Sequence, residues 1–127
     1  MVKGHQSDLE ERFNYALRLR ESNDLDSSLK VFLDLNEDYP NHSAILGMIA
    51  DLHWSLKNYG AAAQWAQKTI DVSPASELAS LLLFHSLNAV GDEVGAFTEM
   101  KRFLEICNSK EYDLILEEFE SKSSNIN

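Results

Sequence analysis

Four histidines and one cysteine are the residues of this 127-residue chain with the most direct capacity for chemistry. Histidine is the commonest catalytic acid or base and a frequent metal ligand, and a cysteine thiolate is a strong nucleophile. The histidines are scattered along the sequence, as His5, His42, His53 and His85. His85 lacks the companion at helical spacing that a zinc site needs. The distribution therefore favours neither a metal site nor a catalytic pair.

Other catalytic patterns are equally absent from the sequence. Cys107 lies near the end of a predicted helix, without the positive helix N-terminus that would activate its thiol. The sequence has no glycine-rich phosphate loop, no nucleophile elbow and no paired metal motif. We therefore expect a protein that is not an enzyme, that needs no cofactor or metal, and that acts through a binding surface.

Composition restricts the partner. Asp and Glu outnumber Lys and Arg by 21 to 11, so the net charge is -10. This charge repels a phosphate backbone and so disfavours nucleic acid as the partner, whereas it would attract a basic protein. The alternative is that the acidic balance only keeps a small cytosolic domain soluble. No apolar run approaches the roughly 18 residues of a membrane helix, and the first residues lack the apolar core of a signal peptide. The expected protein is cytoplasmic, with no membrane contact.

The elements that must position any binding residues repeat along the chain. Short turns at Asn23-Asp24, Lys57-Asn58 and Gly91-Asp92 recur every 34 residues, each between two stretches of helical apolar periodicity. The same shift superimposes three small residues, which are Ser28, Ala62 and Ala96, and it places Pro40 on Pro74. A period of this length with two helices per unit is typical of a helical solenoid.

Seven helices are predicted from this pattern. The first begins at a capping box at Ser7, and the next five begin at Asp24, Asn41, Asn58, Ser73-Pro74 and Asp92. The seventh helix carries Tyr112, Ile115, Leu116 and Phe119 on one face. A solenoid needs such a helix because its last repeat otherwise exposes an apolar face.

These features resemble the tetratricopeptide repeat, whose pattern asks for large apolar residues, small residues and a closing proline at fixed places. The resemblance implies an all-α superhelix in one domain at 7–120, with repeats at about 9–42, 43–76 and 77–108, and a capping helix at about 110–120. Residues 1–6 are expected to be flexible, and 121–127 to be disordered. The sequence departs from the pattern at the tryptophan position, which holds Arg12, Leu46 and Ser80.

The same resemblance implies that the first helix of each repeat lines a concave groove. Mapped position by position, the expected partner-binding residues are Phe13, Leu17, Arg20, Asp51, Trp54, Ser55, Leu81, His85 and Asn88. Glu10, Glu21, Gly47 and Leu78 lie on the same mapped face. Trp54 is the favoured anchor because it offers a large apolar area and one donor, although packing against the neighbouring repeat is an equal alternative. Asp51, one turn before Trp54, is expected either to meet a basic side chain or to be a solvated surface charge.

A well-known binding mode of this family clamps a terminal carboxylate with lysine, asparagine and arginine. The matching positions here hold Phe13 and Leu17, then Gly47 and Asp51, then Leu81 and His85. An aspartate in place of a lysine repels a carboxylate, so this sequence disfavours the clamp.

Three functions remain open at the level of sequence. The leading hypothesis is an adaptor that binds a peptide or protein partner, plausibly basic, in the groove. The first alternative is an acidic immunity protein that neutralises a basic toxin or nuclease, and the second is a secretion chaperone. A monomer is expected, while self-association through Trp65 or the terminal helix stays open.

Overall fold

The computed structural model describes residues 6–124 of the chain, with side chains described for 8–122. Over that range the chain forms seven helices: α1 (Gln6–Glu21), α2 (Leu25–Asp38), α3 (Ser43–Ser55), α4 (Tyr59–Val72), α5 (Glu77–Ala89), α6 (Glu93–Ile106) and α7 (Lys110–Ser124). The fold is an all-α stack of three helix pairs followed by a single helix. Helix α7 continues past its predicted end near 120, while 1–5 and 125–127, parts of the segments predicted as flexible and disordered, lie outside the described residues.

The turn inside each pair follows the 34-residue period closely. Asn23, Lys57 and Gly91 all have a positive φ, of 66°, 65° and 90°. The amide of the following residue donates to the carbonyl five positions back, from Asp24 to Leu19 at 2.9 Å and from Asp92 to Leu87 at 2.8 Å. This is the Schellman arrangement, which satisfies carbonyls at the end of a helix.

One residue in each turn both ends a helix and begins the next. Asp24 and Asp92 are N-caps whose carboxylates accept from the amides of Ser27 and Gly95, at 3.4 and 2.9 Å. Asn58 has nearly the same backbone angles but makes no capping hydrogen bond with its side chain. The predicted starts at Asp24, Asn58 and Asp92 are therefore confirmed.

Three other predicted starts are wrong. Helix α1 already includes Gln6, so Ser7 lies inside its first turn rather than at the cap. Asn41 adopts the left-handed conformation that asparagine tolerates, with φ of 63°, and His42 becomes the N-cap of α3. The amide of Ser73 donates to the Thr69 carbonyl at 2.7 Å and ends α4, so α5 begins later, capped by the hydroxyl of Ser76.

The hydrophobic core is divided into three clusters, each of which joins one helix pair to the next helix in the chain. The first unites α1, α2 and α3 through Leu9, Ala16, Phe32, Leu35, Ile45, Ile49 and Leu52. The second unites α3, α4 and α5 through Ala50, Ala63, Ala66, Ile70, Ala79, Leu82 and Leu83. The third unites α5, α6 and α7 through Phe84, Ala96, Met100, Phe103 and Tyr112. Each pair thus buries its apolar face only because another helix follows it.

Small residues allow the two helices of a pair to approach each other closely. Ser28, Ala62 and Ala96 are all fully buried. In the first pair the Ser28 hydroxyl donates to the Ala16 carbonyl at 2.7 Å, which satisfies a polar group inside the core. The predicted role of this position as a site of close helix contact is confirmed.

A buried polar network attaches the capping helix α7 to the last repeat. The Ser80 hydroxyl lies 2.7 Å from both the Glu99 carboxylate and the Tyr112 hydroxyl, and Arg102 donates twice to Glu99. Arg102 also donates to the Pro74 carbonyl at 3.1 Å. Burial raises the pKa of Tyr112 to about 12, so its hydroxyl stays protonated at neutral pH. Ser80, the departure at the tryptophan position, is therefore the centre of this network.

The turn geometry can be tested with two substitutions that are expected to change the free energy of unfolding in opposite directions. Gly91→Ala is expected to lower the free energy of unfolding by about 1 kcal/mol, because a Cβ disfavours a left-handed residue. Lys57→Gly is expected to raise it by a similar or smaller amount. Urea denaturation of both variants measures the changes, and effects of the same sign would contradict this account of the turns.

The polar network can be tested by removing one hydroxyl. Tyr112→Phe is expected to lower the free energy of unfolding by about 1–2 kcal/mol, because Ser80 loses a buried hydrogen-bond partner. Tyr15→Phe is the matched control, since Tyr15 is 50% exposed, and it is expected to change stability little. Equal unfolding midpoints for wild type and Tyr112→Phe would show that the network contributes nothing to stability.

Candidate functional site

The predicted groove residues belong to α1, α3 and α5, and their positions correspond through the 34-residue shift. Leu17, Asp51 and His85 occupy one position, and Arg20, Trp54 and Asn88 occupy another one turn further on. We call the side of α1, α3 and α5 that carries these residues the first-helix face. The nine predicted binding residues are all partly or fully exposed, whereas Gly47 on the same face is buried.

Two contacts cross the first-helix face between successive repeats. Arg20 of α1 forms an ion pair with Asp51 of α3. The ring of Trp54 on α3 lies 6.0 Å from the ring of His85 on α5, centroid to centroid. Both pairs are separated by 31 residues, so they are equivalent contacts with different chemistry. The contact between the first and second repeats is ionic, and the contact between the second and third repeats is aromatic.

Asp51 has a basic group within the chain as its partner. The sequence leaves open whether its carboxylate meets a basic group or is a solvated surface charge, and in the fold Arg20 supplies a cation to it. No sequence pattern indicates this pairing, because it depends on how α1 and α3 pack against each other. The acidic character of Asp51 is therefore largely neutralised within the chain.

Trp54 both packs between repeats and lines an open depression. Its ring lies 4.9 Å from the ring of Tyr59, at an angle of 59°, and it remains partly exposed. The turn depression, as we call it, has a volume of 490 Å³ and is lined by Arg20, Asn23, Leu25, Trp54, Ser55, Lys57 and Tyr59. Part of the Trp54 ring is therefore packed and part is exposed in the turn depression, and its role as an anchor stays a prediction.

A second depression lies further toward the N-terminal ends of α3 and α5. It has a volume of 280 Å³ and no charged residue in its lining, which consists of Phe13, Ser43, Ala44, Gly47, Met48, Thr69, Ser73, Ser76, Leu78 and Ala79. We call it the apolar depression. Phe13 is held at its edge by an edge-to-face contact with Phe32, with ring centroids 5.1 Å apart.

The repeat positions predict only part of this depression. Phe13, Gly47 and Leu78 are placed on the face by their repeat positions, but Thr69, Ser73 and Ser76 are not. The missed residues come from the end of α4 and from the turn before α5, where no repeat position marks a ligand contact. Only the packing of α4 beside α3 brings them to the site.

The remaining predicted residues line neither depression. Leu17 packs against the first core cluster and Leu81 against the third. His85 contacts Trp54, and Asn88 is partly buried near the end of α5. These residues lie along the same face and connect the two depressions with the last repeat.

Two histidines, His53 on α3 and His85 on α5, are held toward the neutral form. Partial burial lowers the pKa of His85, an effect that the carboxylate of Glu111 opposes, and partial burial also lowers the pKa of His53. Since the ordinary histidine pKa is about 6.5, a lowered pKa leaves both imidazoles mainly neutral at pH 7. His85 therefore presents an uncharged ring beside Trp54.

Neither a metal cluster nor a membrane-spanning helix occurs in the part of the chain that the structure describes. Among residues 6–124, no group of three or more His, Cys, Asp or Glu residues is placed to hold a metal ion. Over the same residues, no helix combines the length and apolar character needed to cross a membrane.

The sequence matches no known family profile and no curated protein. The structure nevertheless resembles several solved structures along almost its whole length. The Yersinia enterocolitica type III secretion chaperone SycD, in complex with a peptide of the translocator YopD, is 16% identical with a TM-score of 0.79, covering 94% of this chain and 92% of that one. PcrH in complex with the chaperone binding region of PopD is 16% identical with a TM-score of 0.80, covering 97% and 99%.

A third similar structure is the first tetratricopeptide-repeat domain of Spaghetti (RPAP3), bound to the HSP90 peptide SRMEEVD. It is 12% identical with a TM-score of 0.81, covering 98% of this chain and 99% of that one. The fold therefore defines a helical solenoid of stacked helix pairs. More particularly, it is the tetratricopeptide-repeat fold, with three repeats and a capping helix.

The environment of His85 can be tested by titration. Its pKa is expected below 6.5, because burial disfavours the imidazolium form. Trp54→Ala is expected to move the pKa upward, since removal of the indole admits water to one side of the ring. The Cε1–H signal of His85, followed by NMR from pH 5 to 8, measures both values. An unchanged midpoint in the variant would show that the indole does not contribute to the burial.

Proposed function

We propose that this chain is a non-catalytic interaction module that binds a peptide or protein segment along the first-helix face. The observation that carries this proposal is the pair of depressions on one face, one uncharged and the other lined by aromatic and cationic residues. The nine predicted residues, from Phe13 on α1 to Asn88 on α5, form the proposed contact surface. The proposed setting is the cytoplasm, with the protein as a monomer.

The spacing of the depressions suits a short extended segment. Gly47 and Trp54 mark the two depressions on α3 and are seven residues apart in the same helix. At a rise of about 1.5 Å per residue, this separation is roughly 10 Å. An extended chain rises about 3.3 Å per residue, so three residues of a bound segment span the distance.

The similar structures support a peptide ligand but differ in its chemistry. The domain of RPAP3 holds a peptide that ends in aspartate, SRMEEVD. In this chain the positions of the carboxylate clamp hold Leu17, Gly47 and Asp51 among others, and Asp51 is already paired with Arg20. These residues do not favour an acidic terminus, so the proposed ligand is not of that kind.

A secretion chaperone is the second candidate, because SycD is a type III secretion chaperone in complex with a peptide of the translocator YopD. PcrH, in complex with the chaperone binding region of PopD, is also similar, and both match this chain over more than nine tenths of each chain. A chaperone of this kind would hold its partner in an unfolded state. The immunity-protein alternative, for which the net charge of -10 is suitable, stays a prediction.

The proposed function can be tested with the anchor residue. Trp54→Ala is expected to reduce recovery of the bound protein in affinity capture by about tenfold, because a central tryptophan often dominates such a surface. Tyr15→Ala serves as a control, since this exposed tyrosine lies outside both depressions. Proteins recovered from native lysate are identified and quantified by mass spectrometry.

Equal recovery with wild type and Trp54→Ala would contradict the proposed surface. Limited proteolysis of the captured partner then separates the two candidates. A partner that is digested like an unfolded chain supports the chaperone, and a resistant partner supports the adaptor.

A further inference from the structure

Gly47 is a glycine that the packing of the protein does not require. It lies in the middle of α3, where glycine is among the least favourable residues for a helix. A Cβ added at this position would meet only the Thr69 Cγ2 atom, at 3.8 Å, which is an ordinary van der Waals contact. The protein core would therefore accept alanine, and the reason for glycine lies elsewhere.

The equivalent positions in the other repeats carry large side chains. They are Phe13 in α1 and Leu81 in α5, so only the middle repeat has no side chain at this point of the first-helix face. Gly47 and Thr69 both line the apolar depression, so the missing side chain leaves part of its space open. Its volume of 280 Å³ exceeds the roughly 150 Å³ of an apolar cavity that accommodates benzene.

The surroundings indicate which chemistry would fill this space. Leu78, at the edge of the depression, is 55% exposed, so an apolar group placed there would cover it. Glu77 precedes Leu78, and Glu10 lies one helical turn before Phe13. Both glutamates are exposed, and neither makes an ion pair or a side-chain hydrogen bond among the described residues. The two helices that supply Phe13 and Leu78 to the depression thus each carry an exposed carboxylate close in sequence to the lining residue.

We propose that Gly47 is a specificity-determining residue, which keeps the apolar depression open for a leucine-sized side chain of a bound segment. Lysine or arginine residues beside that side chain pair with Glu10 and Glu77. This inference rests on the proposed function, and it specifies the ligand as an apolar residue with basic neighbours.

Three synthetic peptides, blocked at both ends, test this ligand chemistry. They are Gly-Ser-Lys-Leu-Lys-Ser-Gly, a version with serine in place of leucine, and a version with glutamate in place of both lysines. Each is titrated into ¹⁵N-labelled protein, and the amide signals are followed by NMR. The first peptide is expected to shift the signals of Gly47, Met48 and Ala79 and to bind about tenfold more tightly than the other two, a ratio equivalent to about 1.4 kcal/mol.

A matched pair of variants tests the role of the glycine. Gly47→Leu is expected to weaken binding of the first peptide by about tenfold, because the new side chain fills the depression. Gly60→Leu is the control: Gly60 is exposed on α4, where an added Cβ would meet no atom within 4 Å, and its variant is expected to bind like wild type. Gly47→Ala is expected to raise the melting temperature by about 4 °C while weakening binding.

Several results would overturn the inference. If the leucine and serine peptides bind with equal affinity, or if Gly47→Leu binds the leucine peptide as tightly as wild type, no apolar side chain occupies the depression. A lower melting temperature of Gly47→Ala would show that packing does require glycine. Concentration-dependent shifts of the same amides without peptide would assign the depression to a second copy of this chain. Loss of partner capture by Trp54→Ala, with Gly47→Leu unaffected, would overturn this inference alone, while capture that neither variant affects contradicts the proposed function as well.

Discussion

No helix pair of this chain can bury its own apolar face. Each of the three core clusters needs a third helix, supplied by the following repeat or by α7. Stacking is therefore obligatory, and it determines that α1, α3 and α5 lie side by side. The first-helix face exists because of this stacking, since its residues come from three separate repeats.

The same constraint explains why the end of the stack carries a buried polar network. Tyr112 closes the third cluster, but its hydroxyl would be left without a partner in a purely apolar core. Ser80 provides that partner and donates to Glu99, and Arg102 compensates the buried Glu99 carboxylate. The network fixes the position of α7, because hydrogen bonds are directional whereas apolar contacts are not.

The first-helix face combines a repeated geometry with varied chemistry. Arg20 contacts Asp51, and the equivalent residues one repeat further on, Trp54 and His85, also contact each other. The first contact is ionic and the second is aromatic. The position that carries Phe13 in the first repeat and Leu81 in the third has no side chain in the second repeat, where it is Gly47. A constant backbone thus presents different groups at regular intervals, which is how a solenoid obtains specificity without changing its fold.

Local signals in the sequence are sufficient to predict the number of helices, the three turns and the need for a capping helix. Those signals are the 34-residue period, the caps at Asp24 and Asp92, and the apolar face around Tyr112. The pairing of Arg20 with Asp51, and the meeting of Thr69 with Gly47 in one depression, arise only in the folded chain. Helical periodicity records which residues share a face within a helix. Contacts between residues of different helices, such as these two, depend on how neighbouring helices pack, and no local pattern encodes that packing.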